Sequence, residues 1–259
     1  MEIVVCKTKE EASRRAAAMI VGAVAKKPRT VLGLATGSTP VLMYTEMAKA
    51  VKAKKVSFAQ CKSWNLDEYV GLPGTHEQSY RYFMDKNLFD KIDIKRSNTH
   101  VLNGMAKDFA KECASYEAAI KKAGGIDIQV LGIGSDGHIA FNEPGTSLSS
   151  RTGLVHLTPS TIKDNARLFF KGREKEVPTR ALSMGVGTIC EAKKIVLLAF
   201  GKGKADAVKG MVEGGVSQFC TASALQMHND VWVFCDTEAA SKLKLAKYYA
   251  WRANTVLAG

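Results

Sequence analysis

Residues 30–40 read TVLGLATGSTP, which is a short apolar run, a glycine-containing turn and a proline that can open a helix. The apolar run is typical of a buried strand. We expect Thr39 to cap the helix that follows, with Pro40 at its first position. The stretch therefore predicts a strand, a tight turn and a helix in succession, the unit from which parallel α/β sheets are built.

The same unit recurs along the chain. The predicted strands cover residues 2–6, 30–35, 61–66, 126–134, 194–200 and 230–235, and the predicted helices cover 8–27, 40–54, 78–89, 107–122, 202–213 and a C-terminal segment from about 237. Residues 140–165 are expected to be rich in loops. Right-handed crossovers between such strands make a parallel sheet with ligands at the carboxyl ends of its strands.

We therefore predict one α/β domain over residues 1–259, with an open, mostly parallel, doubly wound sheet. The length of the chain also fits a TIM barrel. A barrel needs eight strands, and only about six or seven apolar runs are convincing, so the open sheet is favoured.

Composition and charge narrow the class of protein. The formal charge is +12, but the 37 basic residues are scattered among 25 acidic ones. Without a block of like charges, the sequence does not predict nucleic-acid binding, whereas a small phosphorylated ligand needs only a local basic patch. The six cysteines are far apart and none forms a CxxC pair, which indicates reduced thiols and a cytoplasmic protein. No signal peptide or membrane span is predicted.

The turn at residues 36–39 is the first candidate ligand site. Its backbone amides would lie beside the positive end of a helix, Gly37 would let them approach a ligand, and the hydroxyls of Thr36, Ser38 and Thr39 would add donors. A phosphate could be held there without a metal, although the turn lacks the GK[ST] ending of a Walker A loop. An ordinary strand-to-helix turn would look the same, so this pattern alone leaves both interpretations open.

The second candidate site follows another predicted strand, where GIGSDGHIAFNEPG brings Asp136, His138 and Glu143 close in sequence. The GxGxxG pattern is typical of dinucleotide sites, but Pro144 and Gly145 interrupt the required helix and the expected downstream acid is missing. An imidazole exchanges protons at neutral pH, and carboxylates beside it fix its tautomer, which suits a general acid or base. The other histidines lack metal-ligand spacing, so we predict no metal site.

A second acidic pair, Asp67 and Glu68, follows the predicted strand at 61–66 and should face the same edge of the sheet. Two separate acid/base units suggest two proton transfers on one substrate. The chain has no GxSxG elbow or paired cysteine for nucleophilic catalysis. The residues alone thus indicate an enzyme that needs no cofactor and acts on a small phosphorylated metabolite.

Five motifs together resemble those of the glucosamine-6-phosphate deaminase family. They are LGLATGSTP at 32–40, WNLDEYVGL at 64–72, SYRYFM at 79–84, LGIGSDGHIAFNEPG at 131–145 and SSRT at 149–152. The resemblance runs in one register from about residue 30 to about residue 235. It implies a Rossmann-like fold and a hydrolase of amino sugar metabolism that converts glucosamine 6-phosphate to fructose 6-phosphate and ammonia.

The resemblance also implies a role for each candidate residue. Asp67 matches the general base that moves a proton from C2 toward C1 of the opened sugar. Asp136, His138 and Glu143 match the unit that opens the sugar ring, in which the imidazole passes a proton to the ring oxygen. The implied phosphate ligands are Thr36, Gly37, Ser38, Thr39, Arg167 and Lys204.

The chain departs from part of this family at one informative place. Some bacterial members are hexamers activated by N-acetylglucosamine 6-phosphate through basic residues that follow the SRT motif, where this chain has Gly153 and Val155. We therefore expect little or no such activation. Members range from monomer to hexamer, so a homo-oligomer is compatible with the resemblance.

Two alternatives to the deaminase stay open. A 6-phosphogluconolactonase would share the fold, but its histidine motif continues as ASLFP, whereas this chain reads AFNEP and supplies Glu143. A non-catalytic sugar-phosphate sensor usually carries a DNA-binding segment, and residues 1–30 are too short for one. The complete set of acids and imidazole favours an enzyme over the sensor.

Overall fold

The computed structural model describes residues 1–258. Its strands are β1 (Glu2–Cys6), β2 (Val31–Leu34), β3 (Lys62–Asn65), β4 (Asp67–Tyr69), β5 (Thr99–His100), β6 (Ile128–Leu131), β7 (Gly153–His156), β8 (Arg180–Ser183), β9 (Lys194–Ala199) and β10 (Val231–Asp236). Its α-helices are α1 (Lys9–Lys26), α2 (Val41–Lys52), α3 (Tyr80–Asn87), α4 (Phe109–Lys122), α5 (Pro159–Phe169), α6 (Val186–Cys190), α7 (Ala205–Glu213) and α8 (Ala246–Ala258).

Seven strands form one parallel sheet in the order β1-β10-β9-β6-β2-β3-β5. Every residue of β10 and nearly every residue of β9 is buried, which is the pattern of a parallel sheet covered by helices on both faces. The sheet has two free edges, β1 and β5, so it is open and the TIM-barrel alternative is excluded. The predicted open, mostly parallel, doubly wound sheet is confirmed.

The order of the strands reverses between β2 and β6. From β2 the chain adds β3 and β5 on one side, whereas β6, β9, β10 and β1 lie on the other. In doubly wound sheets the crevice at such a reversal, outside the carboxyl ends of the strands, is where ligands bind. The loops that leave β2 and β6 are the two that hold most of the candidate site residues.

A second, antiparallel sheet in the order β4-β8-β7 was not predicted. Its strands have three or four residues each and carry no long apolar run that periodicity could detect. A single residue, Leu66, separates β3 in the large sheet from β4 in the small one. Asp67 therefore lies where the chain passes from one sheet to the other.

Two segments differ from the sequence prediction. The predicted C-terminal helix from about residue 237 is wrong at its start, because α8 begins at Ala246. Residues 237–245 form turns instead, and Glu213 accepts hydrogen bonds from the amides of Lys244 and Leu245 (2.9 and 3.0 Å). The expected loop at 140–165 contains β7 and the start of α5. Across residues 1–258, none of the helices combines the length and apolarity that crossing a bilayer requires.

Candidate active site

The loop at residues 36–39 joins the carboxyl end of β2 to α2. Contrary to the prediction, Thr39 does not cap α2: Pro40 is the N-cap and already has a helical conformation, with φ −80° and ψ −9°. Its carbonyl accepts the amide of Tyr44 (2.9 Å), which is the first hydrogen bond of the helix. No side chain caps the first amides of α2.

Gly37 shapes this loop and brings it against α5. Its φ of +89° lies in the left-handed region that glycine adopts without strain. A Cβ built on Gly37 would lie 3.9 Å from Cζ of Phe169, in the last turn of α5. Arg167 lies two residues before Phe169, so it is in the turn of α5 that contacts the loop.

Arg167 and Lys204, the two predicted cations, lie close enough for their charges to interact. The Arg167 side chain is 69% exposed and pairs only with Asp164 in the same helix (3.3 Å) within the described chain. Lys204 is half-buried in a short 3-10 turn after β9. Burial lowers the pKa of Lys204, and Arg167 lowers it further, whereas Asp164 and Asp136 oppose both. The charges of Arg167, Asp164 and Asp136 therefore all act on Lys204.

The loop after β6 gathers the second group of predicted residues. Nδ1 of His138 lies 2.8 Å from Oδ1 of Asp136 and 3.5 Å from Oε2 of Glu143. Glu143 is buried, and the backbone amide of His138 also donates to Asp136 (3.1 Å). The three side chains expected to act together therefore lie together, with one ring nitrogen facing both carboxylates.

Glycines make the tight turn of this loop. A Cβ on Gly134 would lie 2.5 Å from the His138 ring and 2.7 Å from Asp136, so only glycine leaves room for the pair. Gly137 has φ +91°, and a Cβ there would lie 2.4 Å from Sγ of Cys220. The GxGxxG pattern thus lets side chains pack onto backbone, rather than opening a dinucleotide-binding helix.

Asp136 is ionised at neutral pH. Burial opposes its ionisation, but the hydrogen bonds and charge of His138 outweigh burial and lower the pKa of Asp136 to about 2. One ligand atom from each of Asp136, His138 and Glu143 lies within 4.8 Å of the others, close enough to share a divalent cation. The same contacts suit a proton relay, in which carboxylates orient and stabilise a protonated imidazole.

Asp67 is a buried carboxyl group, with 6% of the residue exposed. Burial, reinforced by the neighbouring Glu68, raises the pKa of Asp67 to about 8. Burial also raises the pKa of Glu68, to about 7, although its carboxylate accepts amides from Tyr69, Tyr80 and Arg81 (2.8–3.0 Å). Glu68 thus anchors the start of α3, which leaves Asp67 as the member of the pair without such anchoring.

The small sheet brings Asp67 next to the loop of His138. Asp67 is paired with Ser183 across β4 and β8, and the Ser183 hydroxyl accepts the amide of Phe141 (3.1 Å). The Phe141 ring also lies 5.7 Å from that of Tyr69, measured between centroids. Asp67 and the relay are thus separated by one strand and one loop.

Sequence reasoning missed three residues that support the site, Thr158, Asn165 and Tyr69. Oε1 of Glu143 accepts both the amide and the hydroxyl of Thr158 (3.2 and 3.3 Å), and Thr158 also caps α5. Asn165 of α5 donates to the Tyr69 hydroxyl (2.8 Å). The Thr158-Pro159 pair is a helix-start signal that could have revealed α5 in a stretch expected to be rich in loops, whereas nothing in the sequence shows which carboxylate or hydroxyl these residues bind.

A large cavity lies elsewhere and does not mark the site. It has a volume of about 1080 Å³ and lies between α4, β7 and the end of α6. Three of the four charged side chains in its wall are already paired, because Arg151 binds both Glu117 and Glu191; the fourth, Lys121, is exposed. The chemistry of the side chains marks the site instead. Among the described residues, acids and an imidazole cluster only at the carboxyl edge of the strands.

A strand-to-helix turn at the switch point and a partly buried cluster of two carboxylates and an imidazole, both at the carboxyl edge of a parallel sheet, define the class as an α/β enzyme. The model of the family described as glucosamine-6-phosphate isomerases/6-phosphogluconolactonase matches residues 7–233. The chain belongs to this family, as its motifs predicted.

Two curated relatives are similar over nearly the whole chain. A glucosamine-6-phosphate deaminase of Shewanella loihica is 52% identical over 249 residues, which cover 96% of this chain and 92% of the relative. Another, of Clostridioides difficile, is 52% identical over 248 residues, covering 96% and 99%.

Solved structures agree with the fold. A monomeric glucosamine-6-phosphate deaminase superposes with a TM-score of 0.91 at 44% identity, covering 93% of this chain and 100% of that one. The 6-phosphogluconolactonase of Leishmania guyanensis superposes with a TM-score of 0.71 at 20% identity, covering 93% and 98%. The similarity to the 6-phosphogluconolactonase shows only that the two proteins share a fold.

Proposed function

We propose that this protein converts glucosamine 6-phosphate and water to fructose 6-phosphate and ammonia. The observation that carries the proposal is a buried, basic carboxyl group, Asp67, next to the Asp136–His138–Glu143 relay at one edge of the sheet. The names of the relatives that are 52% identical support it. The proposal includes a cytoplasmic location, in line with six free cysteines. It also includes a reaction that needs no cofactor or metal.

The substrate phosphate would bind at the loop of residues 36–39. Backbone amides at the uncapped start of α2 and the hydroxyls of Thr36, Ser38 and Thr39 offer donors there. Arg167 can exchange its exposed partner Asp164 for phosphate at little cost, since exposed ion pairs contribute only about 0–1 kcal/mol. Lys204 adds a second positive charge that has already lost part of its hydration.

Ring opening is assigned to the relay. Nδ1 of His138 faces two carboxylates, so Nε2 is the ring nitrogen left to reach the sugar. The imidazole would take the proton of the C1 hydroxyl and give a proton to the ring oxygen as the C1–O5 bond breaks. Asp136 and Glu143 would hold the ring in place and stabilise its protonated form between the two steps.

Isomerisation and deamination would follow at C2. Ring opening leaves an aldehyde at C1, which makes the C2 proton acidic. Asp67 would take that proton while the C1 oxygen gains one, giving an enolamine, and would return it to C1 while the amino group gives one up. The resulting C2 imine adds water and releases ammonia, which leaves the ketone of fructose 6-phosphate. A carboxylate of raised pKa is the stronger base for the carbon proton.

The direct test measures ammonia released from glucosamine 6-phosphate by the purified protein with EDTA present. We expect steady release of ammonia with one fructose 6-phosphate formed for each. Hydrolysis of 6-phosphogluconolactone without release of ammonia would reject the proposal in favour of a lactonase. Loss of activity in EDTA that added divalent cation restores would reject the metal-free part of it.

A further inference from the structure

The hydrogen bond between Tyr69 and Asn165 joins two parts of the site that are far apart in the chain. We propose that this bond sets the position of the phosphate-binding end of the site relative to Asp67, so that Tyr69 and Asn165 are positioning residues for the reaction. The inference rests on the proposed function and adds to it the contact that fixes the distance between its two ends.

The contact is short and buried. Nδ2 of Asn165 donates to the hydroxyl of Tyr69 over 2.8 Å, and the residues lie 96 positions apart. Asn165 is 8% exposed and Tyr69 is 1% exposed. Little water can reach the pair to replace the bond, and losing the Tyr69 hydroxyl leaves the Asn165 amide without this acceptor.

On one side, the bond holds the strand that carries Asp67. Asp67 and Tyr69 lie two residues apart on β4, so their side chains leave the same face of the strand. The Tyr69 ring is fixed by Tyr80, Phe141 and Phe170, with ring centroids 4.8, 5.7 and 6.0 Å away. Its hydroxyl is therefore a fixed point on the base side of the site.

On the other side, the bond holds α5, which contacts the remaining parts of the site. Thr158 at its start binds Glu143, Arg167 is in its last turn, and Phe169 lies against Gly37 of the phosphate loop. A helix moves as a rigid rod over this length, and Asn165 and Arg167 are about 3 Å apart along its axis. A shift of α5 at Asn165 would therefore move Arg167 by nearly the same amount.

Packing alone would not fix this position as closely. Apolar contacts between aromatic rings are non-directional and tolerate small sliding movements, whereas a hydrogen bond requires a definite distance and angle. A substrate held by its phosphate at α5 presents C2 to Asp67 only if the spacing is right. A displacement of about 1 Å at a reacting centre can cost roughly 100-fold in rate.

The test compares Tyr69→Phe and Asn165→Leu with the unaltered protein, using glucosamine 6-phosphate as substrate and inorganic phosphate as inhibitor. Tyr69→Phe removes one oxygen and no volume from the ring cluster. We expect kcat to fall about 10- to 100-fold in each variant, because C2 and Asp67 lose their alignment. The inhibition constant of phosphate should change less than about two-fold, since phosphate touches only one end of the site.

The double variant should be no slower than the slower single variant, because the same bond is removed only once. Asn98→Leu is the matched control: it removes a side-chain bond to the Cys61 carbonyl (3.0 Å) at the opposite edge of the sheet. That variant should keep the kcat of the unaltered protein, whatever its effect on Tm. Circular dichroism confirms that each variant is folded at the assay temperature.

A folded Tyr69→Phe variant with unchanged kcat would overturn the inference, whether or not its Tm is lowered, because a purely structural contact predicts that result. A fall in kcat accompanied by a proportional weakening of phosphate inhibition would overturn it as well. If Asn165→Leu does not fold, Tyr69→Phe decides alone. Absence of ammonia release from the unaltered protein would instead reject the proposed function itself.

Discussion

The pH dependence of the reaction should follow the ionisation of Asp67. Burial, with Glu68 next to it, raises the pKa of Asp67 to about 8, and only its ionised form can accept the C2 proton. We expect kcat/KM to increase from pH 6 to about pH 8 and to level off above that. Initial rates of ammonia release across this range measure the profile. A profile that is flat from pH 6 to 8 would show that the base titrates elsewhere.

Removing the charge of Asp67 should stop the reaction and stabilise the fold. Asp67→Asn is expected to abolish turnover and solvent exchange at C2. Folding raises the pKa of this carboxyl group. Its favourable contribution to the stability of the fold is therefore present below pH 4 and is lost as the pH rises to about 8. At pH 9 the variant, which cannot ionise, should unfold with up to about 5 kcal/mol more free energy, less the cost of burying its amide.

Urea unfolding at pH 4 and pH 9 tests the stability effect, and Glu174→Gln, at an exposed carboxylate, is the control. The control should show no comparable gain between the two pH values. An Asp67→Asn variant that is equally stabilised at both pH values would contradict the buried-charge explanation.

Lys204→Ala should weaken substrate binding more than chemistry. If a charge-assisted contact to phosphate is lost, KM rises by the equivalent of roughly 1.5 to 3 kcal/mol while kcat changes little. Lys202→Ala, in the same short turn but exposed, provides the matched control and should leave KM unchanged. An unchanged KM in Lys204→Ala would remove this residue from the phosphate site.

At the scale of elements, the loop of His138 depends on the backbone of Gly137. Gly137→Ala combines a strained φ with a collision against Cys220, so we expect unfolding to become easier by about 2–4 kcal/mol. Gly124→Ala separates the two causes, because Gly124 has the same φ of +91° and no atom near its Cβ position. It should cost only about 1 kcal/mol.

Urea unfolding of both variants, and of Gly137→Ala with Cys220→Ala, measures these terms. The double variant should recover the part of the loss that comes from the collision. Equal losses for Gly137→Ala and Gly124→Ala would show that the loop relaxes away from Cys220.

Long elements could be predicted from the sequence, and short ones could not. The strands of the large sheet have continuous apolar runs, as in KIVLLAF at 194–200, and such runs need no partner to be recognised. Strand β4 is DEY, two acids and a tyrosine, which no propensity scale favours as a strand. It forms because β8 pairs with it, and that partner lies more than 100 residues away.

The candidate site shows the same division. The glycines, Asp136, His138 and Glu143 fall in one short stretch, so the sequence itself brings them together. Thr158, Asn165 and the pairing of Tyr69 depend on the position of α5 on the small sheet. The capping error at Thr39 has a similar origin: whether its hydroxyl meets the first amides of α2 depends on the backbone conformation, which the sequence does not show.

At the scale of the whole molecule, the face of β7 bears on regulation. Gly153 and Leu154 line the large cavity, and neither carries positive charge. Arg151 nearby is paired with Glu117 and Glu191. Lys121 is then the one cation in the cavity wall without a salt-bridge partner in the described chain, so the cavity offers a phosphate little attraction.

We predict hyperbolic saturation by glucosamine 6-phosphate and no activation by N-acetylglucosamine 6-phosphate. Initial rates with and without the acetylated sugar phosphate test this, with sedimentation velocity to establish the assembly under the same conditions. A sigmoidal curve that the acetylated compound makes hyperbolic would contradict the prediction.

The single-residue connection at Leu66 has a consequence for how this molecule can be changed. Asp67 takes its place from two sheets at once, so its alignment is a property of the angle between them and not of either sheet alone. Substitutions that merely strengthen the large sheet, far from that junction, leave the angle alone. Substitutions meant to raise the stability of the enzyme should therefore be made first at the amino ends of the strands, where Asp127 binds Lys27 and Lys193.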